Sequence, residues 1–164
     1  MSVSAEQAPP LCAKVLTVSD GVIAGTRADT SGGGLVDLLV AHGFTVLEHA
    51  AVADGADTVA VALKRLTDGF AGLVVSTGGT GFAQRDQTPE GTRRVIEREA
   101  PGLAEAMRSI SPLGRLSRGV VGIRGLAIIC NTPGSPKGCV EQLTAIIDVL
   151  PHALRLLADS PTSH

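Results

Sequence analysis

Residues 72–81 read GLVVSTGGTG, and this stretch decides the fold. Leu73, Val74 and Val75 are apolar without alternation, the pattern of a strand covered on both faces, since a strand with one wet face alternates. The run passes directly into Thr77-Gly78-Gly79-Thr80-Gly81, a loop with little side chain. A strand is therefore expected over 72–76. Downstream, Thr88-Pro89-Glu90 predicts a helix start, with Thr as N-cap, Pro at the first helical position and Glu in the first turn. That helix is read over 88–99, and Pro101-Gly102 breaks it before a short helix over 103–109.

The same alternation extends both ways. Upstream, strands are expected over 13–18 and 44–52. Helices follow them, over 31–41 with Ser31 as N-cap and over about 57–66. The glycines Gly32, Gly33 and Gly34 weaken the first of these starts, and close approach of another group would explain them. Downstream, 111–117 reads as irregular, 120–123 as a short strand, 126–130 as a firmer strand and 131–136 as a loop. Ser135-Pro136 opens a helix to about 149, and a last helix starts near Pro151 and runs to 157. Strands alternating with helices in this way imply an α/β three-layer sandwich, with a mostly parallel sheet and helices on both faces. Right-handed crossovers then put the loops after Val18, Val52, Ser76 and Cys130 on one side, where open α/β sheets bind ligands.

Composition agrees. The 164 residues suit one domain, expected over 12–158, with 1–11 as a disordered lead-in and 159–164 as a polar tail. Aromatic residues are only 2%, so the core must be aliphatic. A net charge of −2 argues against a nucleic-acid partner, which would demand a basic face. No apolar run approaches the ~20 residues of a membrane span. The opening MSVSAEQAPP lacks the features of a secretory signal. The three cysteines, Cys12, Cys130 and Cys139, form no CxxC pair; Cys12 and Cys130 read as buried thiols of a protein in a reducing cytoplasm.

Three constellations carry candidate chemistry. The first is Ser76 to Gly81 followed by Arg85 and Asp86. Its glycines let backbone N–H groups approach a phosphate, and the Thr hydroxyls of Thr77 and Thr80 add donors. Neither a P-loop nor a dinucleotide fingerprint is present. Asp86 either holds Mg²⁺ against nucleotide phosphates or serves the following helix dipole. Arg85 either neutralises phosphate or is a solvated surface residue. The second is Asn131-Thr132-Pro133-Gly134-Ser135-Pro136-Lys137, a strand end and helix start with an unfavourably placed Lys, which suits an anion site or a stiff loop with an exposed Lys. The third is Ser19-Asp20, with Gly21, Gly25 and Asp29 downstream and Asp54 on the neighbouring loop. Asp20 reads as a nucleotide or metal contact or an Asx turn, and Asp54 as a cleft carboxylate or an N-cap. The histidines are scattered, without metal spacing.

In order and spacing, Val18-Ser19-Asp20, Thr77-Gly78-Gly79-Thr80-Gly81 leading to Arg85-Asp86-x-Thr88-Pro89-Glu90, and Asn131-x-Pro133-Gly134-Ser135-Pro136 together resemble the MogA/MoaB family of molybdopterin-binding proteins, over about residues 12–157. Ser117-Arg118 and Gly122-Ile123-Arg124-Gly125 also resemble the plant member, whose domain performs adenylylation. The resemblance implies adenylylation of molybdopterin by Mg-ATP, with pyrophosphate released. It also implies Mg²⁺ as cofactor, a homotrimer and handover to a MoeA-type molybdate-insertion protein. In that likeness Asp86 matches the family's essential acidic position and helps position Mg²⁺ and phosphates, and Asp54 matches a second functional acidic position. Ser19, Asp20, Thr77, Gly78, Gly79, Thr80 and Gly81 would line the nucleotide and pterin sites. Asn131, Pro133, Gly134, Ser135 and Lys137 would shape the pocket wall and its anion site. Ala53 stands where many members have Pro, and Thr132 where Met or Leu is usual, which predicts a looser Asp54 loop and an altered wall. The MoaB branch shares these loops, so a paralogue or trimeric scaffold that binds molybdopterin without adenylylating it is the rival implication.

Overall fold

A computed structural model describes residues 10–159. Residues 1–9 and 160–164, most of the expected lead-in and tail, lie outside the described residues. Leu11 belongs to the fold: it packs against the core, and its carbonyl accepts the Thr45 N–H at 2.8 Å.

The chain runs β1 (Cys12–Val18), α1 (Asp20–Ile23), α2 (Thr30–Ala41), β2 (Thr45–Val52), α3 (Ala56–Thr67), β3 (Gly72–Thr77), α4 (Thr88–Arg93), β4 (Arg98–Glu99), α5 (Pro101–Arg108), a 3₁₀ turn (Pro112–Leu116), β5 (Val121–Arg124), β6 (Ala127–Thr132), α6 (Pro136–Thr144) and α7 (Leu150–Ala158). The sheet order is β2-β1-β3-β6-β5-β4. β2, β1, β3 and β6 are parallel; β5 runs antiparallel to β6, and β4 antiparallel to β5.

Residues alternate between two cores along the central strands. Val15, Leu73, Val75, Ile128 and Cys130 face one layer, where Leu35 and Leu39 of α2, Met107 of α5, Leu143 of α6 and Leu154 of α7 pack. Leu16, Val18, Val74 and Ile129 face the other, against Val59, Leu63 and Leu66 of α3 and Val95 just after α4. Every residue of β3 and β6 is buried, which explains their unbroken apolar pattern. This is the three-layer α/β architecture the alternation predicts.

Several local expectations are corrected. The N-cap of α2 is Asp29, whose carboxylate accepts the Gly32 N–H at 3.0 Å, and not Ser31. Gly32 is glycine because a Cβ there would fall 2.3 Å from His49 Nε2 and 2.5 Å from Thr17 Oγ1. Thr88 opens α4 but caps nothing, as its hydroxyl donates to the Gly78 carbonyl at 2.9 Å. The helix expected over 88–99 stops at Arg93. Its last residues enter β4 instead, flanked by bonds from the Glu97 N–H to the Ile123 carbonyl and the Ala100 N–H to the Val121 carbonyl, both 2.8 Å. Pairing with an open strand edge outweighs the helix propensity of Arg and Glu. The 131–136 loop begins two residues late, because Asn131 and Thr132 complete β6. The helix after Ser135 ends at Thr144, and residues 145–149 are turns. Cys12 is half-buried, whereas Cys130 and Cys139 are fully buried.

β1, β3 and β6 end side by side, and the loop after β3 crosses the end of β1. Gly78 takes φ +102°, and a Cβ on it would lie 2.1 Å from the Val18 carbonyl oxygen. Its N–H donates to the Thr132 carbonyl at 3.1 Å. Gly78→Ala combines left-handed strain with a backbone collision and is expected to destabilise the protein by about 3 kcal/mol. Urea unfolding checks this; an unchanged midpoint would contradict the close approach of the two strand ends.

Candidate functional site

A cleft of about 690 Å³ opens over the carboxyl ends of β1, β3 and β6. That is a ligand-sized volume at the place where parallel sheets bind ligands. Of the residues singled out in the sequence, Ser19, Asp54, Thr77, Gly78, Gly79, Thr80, Gly81, Asp86, Pro133, Gly134, Ser135 and Lys137 line it. Asp20 and Asn131 do not.

The loops are bound to one another. Thr77 Oγ1 donates to the Pro133 carbonyl at 2.8 Å, which ties the β3 loop to the β6 loop. Ser31 Oγ donates to the Gly134 carbonyl at 2.5 Å, which ties the start of α2 to the same loop. Ser135 caps α6, its hydroxyl accepting the Gly138 N–H at 2.9 Å. Ser19 caps α1 through the Val22 N–H at 3.2 Å. Short hydroxyl side chains stand at each of these loop ends because each satisfies an orphan backbone group while leaving space for a ligand.

The acidic side of the cleft is a reciprocal pair. The Asp20 N–H donates to Asp54 Oδ2 at 2.9 Å, and the Asp54 N–H donates to Asp20 Oδ1 at 3.1 Å. Arg85 grips Asp20 through two nitrogens and donates to the Asp54 carbonyl at 3.0 Å. Asp20 is thus a structural partner that fixes the Asp54 loop, and it turns to Arg85 and away from the cleft. The Arg85 hydrogen bond holds its carboxyl below the ordinary range. Neither carboxylate caps α3, whose N-cap is Gly55. The Asp54 loop keeps its place through this pair although Ala53 replaces Pro.

Asp54 itself is pushed above the ordinary carboxylate range, first by burial and then by the charges of Asp20 and Asp86. Asp86 sits across the glycine loop, its Oδ2 accepting the Ala83 N–H at 3.0 Å. The two carboxylates bracket that loop closely: a Cβ on Gly79 would lie 3.3 Å from Asp54 Oδ1, and one on Gly81 2.8 Å from Asp86 Oδ2. Mutually repelling carboxylates beside a half-buried glycine turn suit a cation that arrives with an anion. Among the described residues, no group of three or more His, Cys, Asp and Glu side chains is arranged to hold a metal. Any metal here would complete its shell with ligand oxygens.

The pocket-wall role of Asn131 is corrected. Its amide donates to Ser76 Oγ and Thr92 Oγ1, both at 2.9 Å, and its Oδ1 accepts the Val120 N–H at 3.0 Å. Fully buried and hydrogen-bonded to β3, α4 and the start of β5, it supports the cleft from beneath. Thr132 is likewise buried, its hydroxyl on the Ser76 carbonyl, and it does not line the cleft. Lys137 is exposed and only loosely near Glu141, at 3.7 Å, so its ammonium is available at the cleft edge. The two buried thiols are no nucleophiles: burial pushes Cys130 up to about 12 and raises Cys139.

Sequence reading missed two walls. One is Thr17 and Ser31, at the β1 end and the start of α2, beside Asp29, which the sequence placed only downstream of Ser19-Asp20. The other is the arm formed by the 3₁₀ turn, with Pro112, Leu113 and Leu116. The arm had read as irregular, and nothing in its composition marks it as cleft-facing. Asp29 carried the usable signal, a carboxylate three residues ahead of a glycine amide at a helix start.

A mostly parallel sheet whose glycine-bearing strand ends and paired carboxylates surround one cleft defines an anion-binding α/β domain. Comparison with known proteins narrows that class. The family described as "Probable molybdopterin binding domain" matches residues 14–152. The molybdopterin adenylyltransferase of Helicobacter pylori is 38% identical over 150 residues, spanning 87% of this chain and 85% of its own. The structure of the molybdopterin biosynthesis enzyme MoaB from Thermus thermophilus superposes with a TM-score of 0.85 at 42% identity, covering 93% of this chain and 99% of that one. The molybdopterin biosynthesis Mog protein of Mycobacterium ulcerans gives 0.83 at 36% identity, covering 90% and 99%. The chain belongs to this molybdopterin-binding domain family. Among the described residues, no helix is long and apolar enough to cross a membrane.

The raised Asp54 gives a prediction about stability. Its ionised form is disfavoured in the folded state, so the cost is present at neutral pH and is relieved as pH falls through the raised folded-state value. Asp54→Asn retains an oxygen for the Asp20 N–H and removes the charge. It is expected to raise the thermal unfolding midpoint at pH 7, with the gain vanishing in acid. A lower midpoint at pH 7 would show that the charge stabilises the loop.

Proposed function

We propose that this protein is a nucleotidyltransferase of molybdenum cofactor biosynthesis that adenylylates molybdopterin with Mg-ATP. The observation that carries the reading is the pair Asp54 and Asp86 bracketing the Thr77–Gly81 loop inside a ligand-sized cleft. Family membership and the 38% identical adenylyltransferase support the same reaction.

In this reading a terminal phosphate oxygen of molybdopterin attacks the α-phosphorus of ATP. A new P–O bond forms as the bond to pyrophosphate breaks, and adenylyl-molybdopterin and pyrophosphate result. Such a transfer asks the protein for placement and charge compensation, with little covalent help. The amides of Gly79 to Gly81 and the Thr80 hydroxyl would hold phosphate oxygens. The capped start of α6 and Lys137 offer a second anion contact at the opposite wall. Asp86, with Asp54 beside it, would hold Mg²⁺, which supplies charge neutralisation on the phosphates when bound. The donor set fits that ion, since two carboxylates and substrate oxygens are its usual shell. Ser19 and the Asp20-buttressed Asp54 loop form a further wall. A homotrimer, a cytoplasmic location and handover to a MoeA-type molybdate-insertion protein complete the proposal.

Asp86→Asn is expected to keep the fold, because the amide oxygen still accepts the Ala83 N–H. Pyrophosphate release from Mg-ATP and molybdopterin is expected to fall at least about 100-fold, the scale of a misplaced reacting group. Coupled pyrophosphate detection measures it. Wild-type rates in the variant would remove Asp86 from the reaction. Tight molybdopterin binding by the unaltered protein without any pyrophosphate would instead favour a non-catalytic MoaB-type binder.

A further inference from the structure

The loop that carries Asp86 is exposed over most of its length, and few groups hold it. Ala83 and Asp86 bond only to one another within it, at 3.0 Å in each direction. Phe82 at its crest is 73% exposed. Arg85 anchors it toward β1 and β2, as described above. On the other side it meets Arg118, which lies at the end of the arm that follows α5.

Arg118 binds this loop at both ends. Its own N–H donates to the Thr80 carbonyl at 2.9 Å. Nε donates to the Gly81 carbonyl at 2.9 Å, and Nη2 donates to the Asp86 carbonyl at 2.6 Å. Nη1 and Nη2 also meet the carboxylate of Glu90, on the outer face of α4. All three guanidinium nitrogens are engaged in a fan that only a planar fork can make. The Arg118–Glu90 pair is partly exposed, with side chains 36% and 45% accessible. As a surface ion pair alone it would contribute little. The contacts to Gly81 and Asp86 are different in kind. They fix the two backbone carbonyls that flank the turn, and so fix the direction in which the Asp86 side chain leaves it. Of the two stretches that resemble the plant adenylylation domain, only this one reaches the cleft. Arg124 lies at the other end of the sheet, on Thr67 and Asp68.

We propose that Arg118 is a positioning residue: its guanidinium clamps the 81–87 loop so that the Asp86 carboxylate stays in the cleft. The catalytic consequence rests on the adenylyl-transfer reading above, whereas the clamp does not. Glu90 orients the guanidinium from the opposite side, and Arg118 joins the arm that lines the cleft to the Asp86 loop.

Arg118→Ala and Arg118→Lys in the full chain test the clamp, followed by hydrogen exchange and by turnover. Amide exchange in residues 81–87 is expected to rise at least about tenfold in both variants, the effect of losing a charge-assisted hydrogen bond, while exchange in β3 and β6 stays as in the parent. Pyrophosphate release is expected to fall about 100-fold in kcat with little change in KM for molybdopterin. Added methylguanidinium should restore part of the Ala variant's rate but none of the Lys variant's, whose ammonium fills the space. Unchanged exchange in the loop, or full activity in the Lys variant, would overturn the proposal. Should the parent protein release no pyrophosphate, the transfer reading fails, and the exchange result still decides the clamp.

Discussion

Where β3 ends, the chain passes against the carbonyl of Val18 with no room for a side chain, while its next N–H reaches across to Thr132. That contact holds the ends of β1, β3 and β6 at one level. The cleft follows from it. Thr77 can then reach Pro133, the Asp54 loop can face the glycine turn, and the start of α2 can bond to Gly134. Without it the same loops would still be glycine-rich and polar, but they would not share a cavity.

Within that frame the charges divide the work. Asp20 and Arg85 lie outside the cleft and hold the Asp54 loop in place by a closed set of hydrogen bonds. Asp54 and Asp86 lie inside it, and the burial of Asp54 keeps that part of the site under electrostatic tension. Beneath them a neutral network centred on Asn131 uses every polar atom of its amide, and no buried side-chain polar atom among the described residues lacks a partner. The outer groups fix the backbone and the inner ones face the ligand, which is how a site built on loops becomes rigid.

Most of the fold was legible because the buried strands announce themselves. The run at Leu73 to Val75 and the helix starts at Pro89 and Pro136 place the beginnings of the central elements within a residue or two, though not the ends of their helices. What escaped was set by tertiary pairing. Arg98 and Glu99 carry no strand signal and form β4 only because β5 offers an open edge. The arm at 112–116 is shaped by its seat beside α5 and the cleft. In the site, glycines and hydroxyls were readable from spacing, yet spacing could not tell which polar residues face the cavity. Asp20 and Asn131 have the right chemistry and stand next to the right loops, but hydrogen-bond partners from distant segments turn both to structural use. Arg118 was visible only as part of a resemblance, since its partners lie up to 38 positions away and no local pattern marks them.

In the proposed reaction these loops form one cleft that holds pterin phosphate and nucleotide together. Calorimetric titration of molybdopterin into the protein, with and without a saturating non-hydrolysable Mg-ATP analogue, tests it directly. One molybdopterin is expected to bind per chain in both titrations, because both ligands must occupy the cleft at once for direct transfer. Competitive displacement of one by the other, or no binding of molybdopterin at all, would contradict it.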